Sequence, residues 1–108
     1  MNSFIVTDVS DDSIERAIQL AGKTAPRIVP EMLEANVSGE LFLHPLPTLT
    51  LCILVLQNGF TVVGESACAS PENYDRKIGE RIAKQNAMQK IWPLMGYELK
   101  QRLYENKL

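Results

Sequence analysis

Thr48-Leu49-Thr50-Leu51-Cys52-Ile53-Leu54-Val55-Leu56-Gln57-Asn58-Gly59-Phe60-Thr61-Val62-Val63 is the stretch that decides the fold. Residues 48–56 are β-branched and aliphatic, Asn58-Gly59 interrupts them, and residues 60–63 resume the pattern. Asn-Gly between two such runs predicts a tight hairpin, because both loop residues of a type I′ turn need positive φ. A two-residue loop sets the register: Gln57 opposite Phe60, Val55 opposite Val62, Ile53 opposite Gly64 and Leu51 opposite Ser66 share one face. Leu56/Thr61, Leu54/Val63, Cys52/Glu65 and Thr50/Ala67 share the other. This register sends Cys52 and Cys68 to opposite faces, so no disulfide is expected between them. Both hairpin faces are apolar. One suits a long helix, and the other requires the N-terminal helices or a second copy of the chain.

Downstream, Ser70-Pro71-Glu72-Asn73 precedes a long helix that begins near Asp75, with Ser70 or Asn73 as its cap. It is expected to run to Trp92, since Pro93 disfavours helix in the residue before it. Residues 94–104 continue as a final helix, with Tyr97, Leu99, Leu103 and Tyr104 as its apolar contacts. Upstream, Ser10-Asp11-Asp12-Ser13 offers capping oxygens to a first helix carrying Ile14, Ala17, Ile18 and Ala21, stopped by Gly22. Pro30 opens a second, short helix with Met32, Leu33 and Val37 on its apolar side and Gly39 at its end. Leu41-Phe42-Leu43 reads as an edge strand closed by His44-Pro45-Leu46-Pro47, and residues 1–9 as a strand or a loose arm. The expected fold is α+β: an antiparallel hairpin or small sheet packed against one long C-terminal helix, with one or two short N-terminal helices. A single domain spans residues 1–108, of which 1–23 form an N-terminal helical arm.

The bulk properties narrow the function. A chain of 108 residues, 45% hydrophobic and 22% charged, has the ordinary balance of one globular domain. Its net charge of −2 counts against coating a nucleic acid, because phosphate neutralisation needs an excess of Lys and Arg. The basic residues nevertheless concentrate in residues 76–107. No apolar run approaches the roughly 18 residues of a membrane span, and the N-terminus lacks the basic region of a signal peptide. Two cysteines and one histidine make neither a zinc site nor a disulfide framework. The expectation is a cytoplasmic, metal-free protein without a cofactor.

On the long helix, Ile78, Ile82, Asn86, Gly79, Ala83 and Ala87 follow one another round an arc of about 180°. Asn86 in that arc must find partners. It is either a structural amide capping a loop or sheet edge, or a ligand contact at the rim of a pocket. Gly79 and Ala83 imply the close approach of a backbone or a flat ligand. The opposite arc carries Lys77, Arg81 and Lys84, with Arg76 and Lys90 at its margins. That strip is a solvated face supported by Asp75 or Glu80, or a binding strip for phosphate groups. His44 has no evident partner, and no nucleophile elbow, P-loop, paired-carboxylate motif or HExxH occurs. An enzyme is not expected.

Two strings carry a resemblance: Asn58-Gly59-Phe60-Thr61-Val62-Val63-Gly64-Glu65-Ser66-Ala67-Cys68, and Gln85-Asn86-Ala87 with Lys90-Ile91-Trp92-Pro93-Leu94-Met95-Gly96-Tyr97. The chain resembles, over roughly residues 24–103, the small tailed-phage proteins of the gene-49/gene-66-like family. The resemblance extends to phage anti-defence proteins of the Thoeris-inhibiting type, which form oligomers and sequester nucleotide-derived signals without chemistry. It implies a homo-oligomer that holds a cyclic ADP-ribose isomer or a cyclic oligonucleotide between protomers. Phe60, Tyr74 and Tyr97 would stack on a base, Arg76, Lys84 and Arg102 would meet phosphates, and Asn86 a base or ribose edge. Two alternatives belong to other classes: a protein-interaction module that inhibits a host protein through the second hairpin face, and a nucleic-acid-binding regulator using the basic strip.

Overall fold

A computed structural model describes residues 11–22 and 25–106. The element order is α1 (Asp11–Leu20), α2 (Pro30–Ala35), β1 (Val37–Leu46), β2 (Leu49–Leu56), β3 (Thr61–Ala67), a 3₁₀ turn (Pro71–Asn73), α3 (Arg76–Gln89) and α4 (Ile91–Tyr104). The three strands form one antiparallel sheet in the order β1-β2-β3. α3 packs on one face of β2 and β3, so the α+β expectation holds. The strand or arm expected for residues 1–9, and the cap expected from Ser10, lie outside the described residues.

The hairpin register differs from expectation by one residue. Leu54 pairs with Val62, Cys52 with Gly64 and Thr50 with Ser66. Leu56 N–H donates to Phe60 O (2.8 Å) and Gly59 N–H to Leu56 O (2.9 Å), so the loop is the three residues 57–59. Of these only Gly59 has positive φ, at 89°. This is a type I turn closed by a glycine bulge, which needs one left-handed residue where a type I′ turn needs two. The Asn58 side chain supports it by accepting from Phe60 N–H.

The shift moves the β3 side chains between faces. Val62 and Gly64 now lie beneath α3, whereas Val63 and Glu65 are exposed. Cys52 and Cys68 fall on the same face rather than opposite ones, with Cys68 N–H bonded to Thr48 O. Both remain free thiols, because four strand residues, about 13 Å, separate their positions along the sheet. Burial pushes the Cys52 thiol up from its ordinary pKa.

The core follows from this geometry. α3 presents Gly79, Ala83 and Ala87, all buried and four residues apart, to the sheet. They pack with Thr50, Cys52, Leu54, Leu56 and Val62 of the sheet, and Leu33 and Ile91 belong to the same buried cluster. A Cβ added at Gly64 would lie 2.2 Å from both Ala83 O and Ala87 N. What approaches the small-residue stripe is therefore the sheet's own backbone, not a ligand. Ile78 and Ile82, expected on the same arc, are instead 57% and 41% exposed.

Four element boundaries also differ. α2 stops at Ala35 with Asn36 as its C-cap, so Val37 and Gly39 belong to β1 instead of ending the helix. β1 runs ten residues and includes His44 and Pro45. α3 is capped by Asp75, whose Oδ1 accepts from Ile78 N–H at 3.1 Å, while Ser70 and Asn73 flank or form the 3₁₀ turn. The long helix breaks at Lys90, not Trp92. Pro93 cannot donate to the carbonyl four residues earlier, at Gln89, and its ring crowds that oxygen. It is instead accommodated in the first turn of α4.

Replacing Asp75 by Ala is expected to cost about 1 kcal/mol, since Ile78 N–H loses its side-chain acceptor. Urea denaturation of both proteins checks this, and Asp75→Asn, which retains an oxygen there, should recover most of the loss.

The second face of the sheet carries Leu49, Leu51, Ile53 and Val55, flanked by Leu41, Leu43 and Val63, which are 53%, 40% and 40% exposed. α1 packs on α2, and α2 also contacts α4 and β1.

Candidate ligand-binding site

The seven residues singled out by type do not meet in one place. Tyr74 and Arg76 line a groove of about 350 Å³ at one end of the sheet, together with His44, Pro45, Leu46 and Pro47. The turn after the 3₁₀ residues brings Tyr74 to Thr50, and the two hydroxyl oxygens lie 3.1 Å apart. Thr50 is fully buried, and the tight packing of Gly79 against both residues fixes the ring on that side. Arg76 begins α3, one residue after the Asp75 cap.

His44 is the residue that reasoning by type passed over. It sits on the helix-facing side of β1, with Nε2 3.1 Å from Glu80 Oε2. The same carboxylate oxygen is 3.3 Å from Arg76 Nε. One oxygen of Glu80 therefore lies within 3.3 Å of both an imidazole nitrogen and a guanidinium nitrogen. Its own charge offsets part of that on Arg76, so an anion entering the groove competes with Glu80 for Arg76. The available signal was the Pro-flanked His44 beside the hairpin. Only the pairing of Leu43 with Leu51 shows which end of the sheet it reaches.

Phe60 lies at the opposite end of the sheet, six strand residues or about 20 Å from Thr50. There it lines a groove of about 440 Å³ with Asn36, Leu56, Gln57, Asn58, Leu94, Met95 and Glu98. Glu98 brings negative charge to that groove, and Arg102 is tied to it at 3.4 Å. Tyr97 is 74% exposed on α4. Between the ends, Lys84 Nζ lies 2.7 Å from Glu40 Oε2. Asn86 Nδ2 donates to Glu65 O at 2.8 Å, so its amide caps a sheet edge. With Lys90 donating to Val63 O, three of the five cations on the basic strip (Arg76, Lys84 and Lys90) are engaged inside the molecule.

Comparison with protein families matches residues 9–103 to the phage protein (N4 Gp49/phage Sf6 gene 66) family. The chain belongs to that family. The match takes in α1, so this helix is part of the phage-family region, although the resemblance read from the strings began only near residue 24. Curated proteins and solved structures returned no match. The two grooves differ in charge: Arg76 and His44 line one, and Glu98 lines the other. Among the described residues no helix is long and apolar enough to cross a membrane, and no group of three or more His, Cys, Asp and Glu could hold a metal ion.

Proposed function

We propose that this phage-family protein binds a nucleotide-derived signal, a cyclic ADP-ribose isomer or a cyclic oligonucleotide, without converting it. By withdrawing that signal it would counter a bacterial defence. The observation that carries the reading is one groove combining the Tyr74 ring, the Arg76 guanidinium and the His44 imidazole. A base can stack against the ring while a phosphate meets the Arg76 guanidinium and can accept from the His44 imidazole N–H, and ribose hydroxyls can donate to Glu80. Nothing in this scheme requires a nucleophile. Sequestration needs affinity and a ligand that is released intact.

Isothermal titration of the purified full chain against cyclic ADP-ribose isomers and cyclic di- and trinucleotides tests the proposal. Stoichiometric heat with one of them, and recovery of the unchanged ligand after denaturing the protein, is the expected result. Arg76→Ala should weaken binding about 10- to 100-fold, the loss of one charge-assisted contact, while Phe60→Ala leaves it unchanged. Heat abolished by Phe60→Ala but not by Arg76→Ala would move the site to the hairpin tip. Absence of heat with the whole panel would overturn the reading.

A further inference from the structure

His44, Glu80 and Arg76 form a short chain of charge beside the Tyr74 groove. β1 loses regular register between Leu43 and Leu46, and an irregularity of this kind re-aims the side chains within it. His44 and Arg76 both line the groove there. His44 Nε2 is shut off from solvent and lies 3.1 Å from Glu80 Oε2, without the alignment of a hydrogen bond. Arg76 Nε donates to the same oxygen at 3.3 Å. One carboxylate oxygen thus stands between a permanent cation and a type of group whose charge changes between about pH 5 and 8. The other ionisable groups around it are committed elsewhere. On β1, Glu40 is paired with Lys84 of α3 at 2.7 Å. On β2, Cys52 is buried, and burial pushes its thiol up, away from ionisation. Ahead of α3, the Tyr74 hydroxyl lies 3.1 Å from Thr50 Oγ1, and the Asp75 carboxylate caps Ile78 N–H.

We infer that protonation of His44 switches this groove on for anions, by drawing Glu80 away from Arg76. The switch rests on the reading of the groove as a phosphate site. With His44 neutral, His44, Glu80 and Arg76 together carry no net charge, and Glu80 screens Arg76 from an incoming phosphate. With His44 protonated, the three carry one net positive charge. The Nε2–H of the imidazolium then offers Glu80 Oε2 a charge-assisted partner, in a place closed to water where such a bond is strong. Glu80 no longer depends on Arg76 to balance its charge. The mostly exposed Arg76 side chain is free to turn its planar fork into the groove and meet a phosphate with two parallel bonds. Binding and protonation are reciprocal, so a phosphate-bearing ligand also takes up a proton as it binds near neutral pH.

The free protein tests this coupling without a ligand. His44 is the chain's only histidine, so its ring protons give a clean signal in the untagged full chain. NMR follows them between about pH 5 and 8, together with the Arg76 Nε–H resonance. The Arg76 resonance should move with the same midpoint as His44, and Glu80→Gln should abolish that movement. An Arg76 resonance that stays fixed while His44 titrates, or that still follows His44 in the Glu80→Gln variant, overturns the switch. Titration calorimetry gives the second measurement, with the cyclic ADP-ribose isomers and cyclic di- and trinucleotides as probes. Their phosphates are all esterified or bridged, and so lack the second proton that a phosphate monoester titrates at about pH 6. The association constant of a bound probe should be about tenfold higher at about pH 5.5 than at about pH 7.5, and equal at the two in His44→Gln. Equal constants in the wild-type chain overturn the switch and leave the nucleotide reading standing. Absence of heat with every probe at both pH values overturns the nucleotide reading instead, and the Arg76 resonance still decides the switch.

Discussion

Gly64→Ala is expected to destabilise the protein by about 3 kcal/mol, lowering the melting temperature by about 15 °C. The added methyl would lie 2.2 Å from two backbone atoms of α3, Ala83 O and Ala87 N, and 2.8 Å from Ala87 Cα. None of these is a side chain that could turn aside. The helix must withdraw from the sheet by about 1 Å, and the whole Gly79–Ala83–Ala87 stripe loses its contacts with it. The sign makes the test sharp. Glycine in a strand is ordinarily the weaker residue, so alanine should stabilise wherever space exists. Gly39→Ala supplies that control: its Cβ would stand 3.7 Å from Val55 Cβ, an ordinary contact. Thermal denaturation of the pair should show a large loss at residue 64, and no loss or a small gain at residue 39. Similar melting temperatures for both would mean that α3 does not sit on the Gly64 backbone.

Ile91→Ala is expected to cost about 3 kcal/mol, with much of the effect local to the C-terminal helix. Ile91 is 0% exposed and is the one buried residue of α4. Trp92 and Met95 pack against the core only in part. Without the Ile91 side chain, α4 has little apolar area to hold it beside α2 and α3, and its own helix propensity is marginal over 14 residues. Hydrogen exchange should therefore show protection lost across Ile91–Tyr104 before it is lost in β2. Tyr97→Ala, which alters a 74% exposed ring, should stay within about 0.5 kcal/mol of the parent. Uniform loss of protection across the chain in Ile91→Ala would instead make α4 an inseparable part of the folding unit.

The candidate site was legible only in pieces. Tyr74 and Arg76 stand out by type, an aromatic and a cation at the start of a helix, and the structure does bring them together. Phe60, Tyr97 and Arg102 have equally suggestive side chains but lie at the far end of the sheet or on α4. Nothing local distinguishes the two groups. Asn86 was recognisable as an amide in need of a partner; that the partner is Glu65 O depends on α3 running beside β3. His44 and Glu80 are 36 residues apart, and only the β1–β2 pairing and the seat of α3 set them 3.1 Å from each other.

Local chemistry alone determined that a hairpin turns near Asn58-Gly59, that Pro30 opens a helix, that Gly22 closes one, and that Pro93 prevents a continuous C-terminal helix. Each rests on one residue's φ or missing N–H, which acts wherever the chain goes. The hairpin register was beyond such reasoning, because Asn-Gly fits a two-residue loop and a three-residue loop equally well. Burial decided between them. In the two-residue register Val63 and Glu65 would join Leu54 and Cys52 beneath α3, burying a carboxylate where α3 leaves room only for a glycine. In the observed register Val62 and Gly64 take those places, and Glu65 stays in water. The tertiary contact with α3 thus selected the turn.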